Sequence, residues 1–303
     1  MGRRLAPDEV FPAGRPGHAR RVVELPWGER VRVVRCDPPA DASIDPSAEP
    51  PPVAVCVHGW GCSLYSFNRN LRAIADAGVV AIAPDVRGHG WSDKPLDQAS
   101  YTPEALARWL LALLDVLAVP RAVLVGHSMG GAVVLRAALL APERVAGLVL
   151  LAPVGFGDIP RTRLLRKLTP AALEPLMVAC ATRGVFGVGL RMGWGGLGAP
   201  TEADVDEYWA ATADPRFVRA TRLVAHAFEW DPTSAAELQR LRVPVRLLLG
   251  ERDHLVPGEL ARSVVERLPG ARVDVIAGAG HVLAEEAPLA VNAAVVEAAR
   301  RWR

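Results

Sequence analysis

Apolar and polar positions along this chain fall into blocks whose period switches repeatedly between two residues and about 3.6. After a polar start, Ala19 to Leu25 and Val31 to Arg35 are short β-rich runs joined by Pro26-Trp27-Gly28-Glu29, which predicts a hairpin. Asp37 to Pro52 is crowded with Pro, Asp, Ser and Ala, carries no apolar period, and reads as an exposed loop. From Val53 onward, apolar strands and amphipathic helices take turns. Val53 to Val57 leads through a Gly-rich turn into a helical stretch, Phe67 to Ala77, that Gly78 stops. Val79 to Pro84 follows, then a helix opening at Thr102-Pro103 with an apolar stripe of Leu106, Leu110, Leu113, Leu114 and Leu117. Ala122 to Val125 runs directly into Gly126-His127-Ser128-Met129-Gly130-Gly131 and a helix reaching Ala141, and Val145 to Leu151 is wholly apolar. Near-continuous Val/Leu strands separated by amphipathic helices predict an α/β protein: a mostly parallel, doubly wound sheet, covered on both faces and opened by an antiparallel hairpin.

The alternation breaks between Gly155 and Ala235. Helical pieces are predicted there from Arg161 to Leu168, after a Thr169 cap with Pro170 in the first turn, after a Thr201 cap with Asp204 three residues on, and after Asp214-Pro215. No strand is expected among them. The α/β pattern resumes with Val245 to Leu249, a helix around Leu260 to Leu268, the strand Arg272 to Ile276 and a last helix from Pro288. The expected organisation is a core of residues 1–155 and 236–303 with an all-helical subdomain, 156–235, inserted in it.

Composition narrows the function classes. Of 303 residues, 50% are hydrophobic and 22% charged, which is enough apolar material for a large core. The net charge of +2 is too small for a general grip on nucleic acid or anionic lipid, so no nucleic-acid partner is expected. Cys36, Cys56, Cys62 and Cys180 have neither metal-ligand spacing nor a disulfide framework, and are expected as reduced thiols in or near the core. The first twenty residues lack the apolar stretch of a secretory signal, and no uninterrupted apolar run approaches the roughly 20 residues of a membrane span. The expectation is a cytoplasmic protein without an integral membrane segment.

The chemistry concentrates in the loops that follow strands. Gly126-x-Ser128-x-Gly130, after a strand and before a helix, has the context of a nucleophile elbow, where a sharp turn strains the serine backbone and needs small neighbours. The helix that follows aims its first N–H groups and its dipole at the serine. His58-Gly59-Trp60-Gly61 follows the strand at Val53 to Val57, where a second donor to an oxyanion would arise, pairing the backbone N–H of Trp60 with that of Met129. Asp253 lies beyond the strand ending near Gly250, and His281 lies beyond the strand ending at Ile276. Serine, aspartate and histidine in this order, each beyond the carboxyl end of a strand, form the constellation that activates a weak serine nucleophile.

On these residues the chain resembles the α/β-hydrolases from about Arg20 to its C-terminus. The resemblance rests on His58-Gly59-Trp60-Gly61, Asp85-x-Arg87-Gly88-His89-Gly90-x-Ser92, Gly126-His127-Ser128-Met129-Gly130-Gly131, Gly250-Glu251-Arg252-Asp253 and Gly280-His281. It implies Ser128 as nucleophile, His281 as general base and then acid, Asp253 orienting His281, and Trp60 with Met129 as oxyanion donors. It also implies that the helical insertion is a lid, and that neither cofactor nor metal is required. The absence of a His-Glu-x-x-His motif or clustered carboxylates agrees with a site without metal. Asp158 is an alternative position for the acid, as in some relatives. Glu251 and His254 read as supporting or exposed, His58, His89 and His127 as braces of loops, and the Asp85 to Gly90 segment as a buttress below the pocket.

Trp91, Phe156, Trp194, Trp209, Phe228 and Val282 are the candidate pocket residues, which points to a small hydrophobic substrate. Gly193-Trp194-Gly195-Gly196-Leu197-Gly198 would let a lid open. Arg161, Arg163, Arg166 and Lys167 would either face solvent or meet an anionic substrate, a carrier protein or a membrane surface. The leading function is a serine hydrolase of a carboxylic ester, lactone or thioester with an apolar acyl part. A carbon–carbon bond hydrolase or cofactor-free perhydrolase on the same residues stays open, as does a small-ligand binding or accessory protein in a pigment or natural-product pathway. Epoxide hydrolases and haloalkane dehalogenases of the family carry aspartate at the elbow, and Ser128 argues against both.

Overall fold

A computed structural model describes residues 3–39, 50–156, 160–228, 233–256, 267–268 and 270–302. Strands β1 (Ala19–Glu24) and β2 (Arg30–Cys36) pair antiparallel, with Glu24 opposite Arg30 across a turn in which Gly28 takes φ 84°. This is the expected hairpin. The sheet continues through β3 (Val53–Val57), β4 (Val80–Pro84), β5 (Ala122–His127), β6 (Val145–Leu151), β7 (Val245–Gly250) and β8 (Arg272–Ile276). Its strand order is β1-β2-β4-β3-β5-β6-β7-β8, and every pair from β4–β3 onward is parallel.

The period of two sorts these strands onto two cores. Val55, Val57, Leu124, Leu148 and Leu150 face helices α2 (Pro103–Val116) and α3 (Met129–Leu140). Ala54, Cys56, Val123, Val125, Val149 and Leu151 face α1 (Leu71–Asp76) and the last helix, Pro288–Arg301. With both faces covered, the central strands have no polar side and must read as apolar runs. Thr102 caps α2 by accepting from the Ala105 N–H, and the expected leucine stripe is buried except for half-buried Leu117. The single helix expected over Phe67 to Ala77 is instead a 3₁₀ turn, Leu64–Phe67, followed by the shorter α1. Ser63 caps the first piece, so the chain turns before α1 begins.

Between β6 and β7 the described residues are helical: α4 (Pro160–Leu168), α5 (Glu174–Cys180), α6 (Arg183–Gly193), α7 (Glu202–Ala210), α8 (Phe217–Ala227) and α9 (Ala235–Leu238), with short 3₁₀ turns. Thr201 and Asp204 close a full capping box on α7. Thr169 is not a cap: its hydroxyl donates to Leu165 O at 2.7 Å, and a 3₁₀ turn separates it from α5. Helix α6 goes beyond the predicted pieces, because Gly184, Gly187 and Gly189 disguise it; Gly187 is buried, and a Cβ there would lie 3.6 Å from Val205 of α7. Arg166 is spent on Ala225 O and Phe228 O, holding α4 against the end of α8.

After β8 come α10 (Leu283–Glu286) and α11 (Pro288–Arg301). The expected helix around Leu260 lies almost wholly outside the described residues, and Asp158 lies outside them too. All four cysteines are free thiols: Cys36 and Cys56 are buried, but Cys180 is exposed on α5, contrary to expectation, because that helix packs through few of its residues. Burial pushes the Cys36 thiol up to about 11 and the Cys62 thiol to about 12, so neither is a ready nucleophile.

Candidate active site

Ser128 sits where β5 ends and α3 begins, with φ 52° and ψ −117°. A non-glycine residue there is strained, by about 1–3 kcal/mol. The strain is held by hydrogen bonds on both sides: Ser128 N–H donates to Leu151 O at 2.9 Å, and Ser128 O accepts from Gly131 N at 2.9 Å and Val154 N at 3.1 Å. The flanking glycines are required by close approach. A Cβ on Gly126 would lie 2.6 Å from Gly130 O, one on Gly130 2.2 Å from Val57 O, and one on Gly131 2.6 Å from Pro153 Cβ.

Asp253 and His281 meet beyond the ends of β7 and β8. The imidazole Nδ1–H donates to Asp253 Oδ2 at 2.8 Å, while Asp253 Oδ1 accepts from Leu255 N at 2.8 Å and Val256 N at 2.9 Å. Burial alone would raise the Asp253 carboxyl, but the His281 hydrogen bond and charge and the two backbone donors outweigh it and hold it below the usual carboxylate value. His281 is fixed at its backbone as well: its N–H donates to Gly193 O at 2.7 Å, and its C=O accepts from His127 Nε2–H at 2.9 Å. The His127 and His281 rings lie 4.9 Å apart, so the residue next to Ser128 in the chain carries the imidazole to the elbow. Among the described residues the Ser128 hydroxyl makes no hydrogen bond. Hydrogen bonds between nucleophile and base commonly tighten only around substrate. Ser128 and His281 are 8% and 7% exposed, which leaves both nearly out of water.

The loop after β3 closes on the elbow from the other side. A Cβ on Gly59 would lie 3.1 Å from Ser128 Cβ and 3.2 Å from His127 Nδ1, so the backbones flanking Trp60 and Ser128 converge. Met129 N–H belongs to the first turn of α3, whose donors have no intrahelical acceptor. His58 Nδ1–H donates to Gly59 O at 2.8 Å while its Nε2 accepts from Val86 N at 2.9 Å, which ties this loop to the Asp85 segment. Asp85 is fully buried and accepts from Leu64 N, Trp91 N and Arg32; a Cβ on Gly90 would strike its carboxylate. Burial lowers the imidazoles of His58, His89 and His127, the last two to about 3, so all three are neutral hydrogen-bonding groups at ordinary pH.

The candidate pocket residues do not all gather at Ser128. Val282 follows His281 and lies against Gly193, and half-buried Trp194 follows Gly193 with the Arg69 guanidinium 5.6 Å from its ring. The Trp60 indole N–H donates to Thr221 O of α8 at 2.8 Å, which joins the elbow side to the insertion. Phe156 and Phe228 are buried within the core cluster that holds Met129. Trp91 lines a separate surface cleft of about 590 Å³ with Arg4, Arg30, Lys94, Asp214 and Arg216. Trp209 donates its indole N–H to Ala181 O at 3.0 Å and lies under Arg4. Glu251 accepts from Gly278 N at 2.8 Å and supports the turn before His281. Two contributors escaped the sequence: Glu286, and the Gly193 carbonyl, whose partner is the distant His281 N–H and which the sequence placed only in a flexible segment. Among the described residues, no three His, Cys, Asp or Glu side chains are grouped as a metal would require.

Comparison with known proteins places the family and the fold. The profile of the alpha/beta hydrolase family matches residues 54–294. An uncharacterised protein of Mycobacterium tuberculosis (strain H37Rv) is 30% identical over 245 residues, 76% of this chain and 70% of that protein. Epoxide hydrolase A of the same organism is 27% identical over 312 residues, covering 89% and 94%. Among solved structures, carboxylesterase CesB from Bacillus subtilis superposes with a TM-score of 0.72 at 21% identity, over 92% of this chain and 90% of that one. The chain belongs to the alpha/beta hydrolase family.

Proposed function

We propose that this protein is a serine hydrolase that cleaves a carboxylic ester, lactone or thioester with an apolar acyl part through an acyl-serine intermediate. The observation that carries the reading is the Asp253–His281 hydrogen bond of 2.8 Å, with the His281 ring 4.9 Å from that of His127, the chain neighbour of a serine held at φ 52°. In this reading His281 Nε2 takes the Ser128 proton as Oγ attacks the carbonyl carbon, and the N–H groups of Trp60 and Met129 receive the oxyanion. The imidazolium is stabilised by Asp253 and gives its proton to the departing alcohol or thiol. Water, activated by the same imidazole, then releases the acid.

The family's hydrolase character is shared by relatives named as epoxide hydrolases and as an esterase. Ser128 favours acyl transfer, since the epoxide-opening members use aspartate at this place and a serine ether would have no carbonyl for water to attack. The residues joining the insertion to the site, Trp60, Trp194 and Val282, are apolar, which suits an apolar acyl chain and gives the insertion the role of a lid.

The test is a panel of p-nitrophenyl esters of increasing acyl length, a thioester and an aryl epoxide, assayed on wild type and Ser128→Ala. Ester or thioester turnover lost in the variant, with the epoxide untouched, is the expected result. Epoxide opening without ester turnover would overturn the reading.

A further inference from the structure

Glu286 ends the short helix that follows His281 and is 7% exposed. Its carboxylate accepts three backbone N–H groups from two chain segments: Gly280 on Oε1 at 2.9 Å, and Gly195 and Gly196 on Oε2 at 2.8 and 3.4 Å. Gly280 immediately precedes His281. Gly195 stands two residues after Gly193, whose carbonyl accepts the His281 N–H at 2.7 Å. The two segments run so close that a Cβ on Gly195 would lie 2.3 Å from Gly280 N, and one on Gly280 2.3 Å from Gly195 N. Two N–H groups facing one another across this gap need a shared acceptor between them, and Glu286 supplies one.

We propose that Glu286 is a positioning residue for His281, a carboxylate staple that fixes the base-bearing loop to the glycine-rich segment of the insertion. It touches no reacting atom and acts through the backbone of Gly280 and Gly195. With the staple in place, His281 is held at its N–H by the insertion, at its C=O by His127 and at Nδ1 by Asp253. The same staple makes closure of the insertion and placement of the imidazole one event. The glycine-rich segment is therefore a docking strip, and a glutamine at 286 satisfies only one of its two sides, because an amide has a single acceptor oxygen.

The proposal rests on the hydrolase reading above, and the experiment separates the two. Fluorophosphonate labelling of Ser128 is followed to saturation in wild type, Glu286→Gln, Glu286→Ala and the surface control Glu297→Gln. In parallel, the downfield proton resonance of the His281 Nδ1–H is recorded, and it needs no turnover. The expected result is a limiting labelling rate about 10- to 100-fold lower in Glu286→Gln and lower again in Glu286→Ala, with probe affinity unchanged, the control normal, and the Nδ1–H resonance lost. Gly195→Ala, which crowds the same junction from the insertion side, should reproduce the loss. Wild-type labelling rate and resonance in a folded Glu286→Gln protein would overturn the staple and leave the hydrolase reading standing. A wild type that is not labelled overturns the hydrolase reading, and the resonance then decides the staple alone. A Glu286→Gln chain that fails to fold assigns Glu286 to stability and also overturns the proposal.

Discussion

Replacing Asp253 by asparagine tests the chemistry through a proton whose position the structure dictates. Asp253 Oδ1 is committed to the N–H groups of Leu255 and Val256, so the amide oxygen of an asparagine must take that place. The amide NH2 is then turned toward His281 Nδ1, at the 2.8 Å contact where wild type presents an acceptor. A donor cannot face Nδ1–H, so the imidazole must carry its proton on Nε2, the nitrogen that has to receive the Ser128 proton. A wrong tautomer of this kind costs on the order of 10⁴ in kcat, or about 5.5 kcal/mol of barrier. Saturating p-nitrophenyl ester assays should show that loss with KM within a few-fold and the melting temperature within a few degrees, since both backbone bonds survive. A second consequence is thermodynamic. The Asp253 carboxyl titrates lower in the folded than in the unfolded chain, so its stabilisation is complete above the ordinary carboxylate value and disappears as pH falls through the lower folded value. Stability curves of wild type and variant should therefore converge in acid. An Asp253→Asn enzyme within tenfold of wild type would refute the argument.

Further outcomes follow from local geometry. Ser128→Gly removes a strained φ of 52° and should raise stability in urea by about 1 kcal/mol after its extra chain entropy, while abolishing turnover; a loss of stability would show that the elbow is unstrained. Gly130→Ala would place a Cβ 2.2 Å from Val57 O, a backbone atom that cannot step aside, and should lower the melting temperature by several degrees and activity with it. Burial raises the Glu285 carboxyl to about 8, so wild-type stability should fall as pH rises from the ordinary carboxylate range toward 8; Glu285→Gln should flatten that slope in thermal melts at pH 5 to 8. An unchanged slope would remove Glu285 as its source.

The sheet and elbow were legible in the chain because each makes a demand that few residue types meet. Strands buried on both faces must be apolar throughout, and a serine at the head of a tight strand-to-helix turn must have glycine two residues away on each side. Asp253 and His281 could be read from their places just beyond strands. What the sequence hid depends on contacts between distant segments. Helix α6 carries three glycines, of which Gly187 faces Val205 of α7, so propensity pointed away from a helix that tertiary contact forms. Glu286 resembles any acidic residue near a helix end, and only the fold shows that its partners are Gly280 and Gly195. Trp91 and Trp209 share the aromatic character of pocket residues, yet one lines a separate cleft and the other lies under Arg4. Aromatic identity does not encode direction.

Activation of Ser128 is read most directly by intact mass after treatment with a fluorophosphonate, on wild type and Ser128→Ala in parallel, with peptide mapping of the adduct. One adduct is expected, on Ser128, and none on the variant. A folded wild type that takes up no probe, or one labelled at another serine, would contradict it.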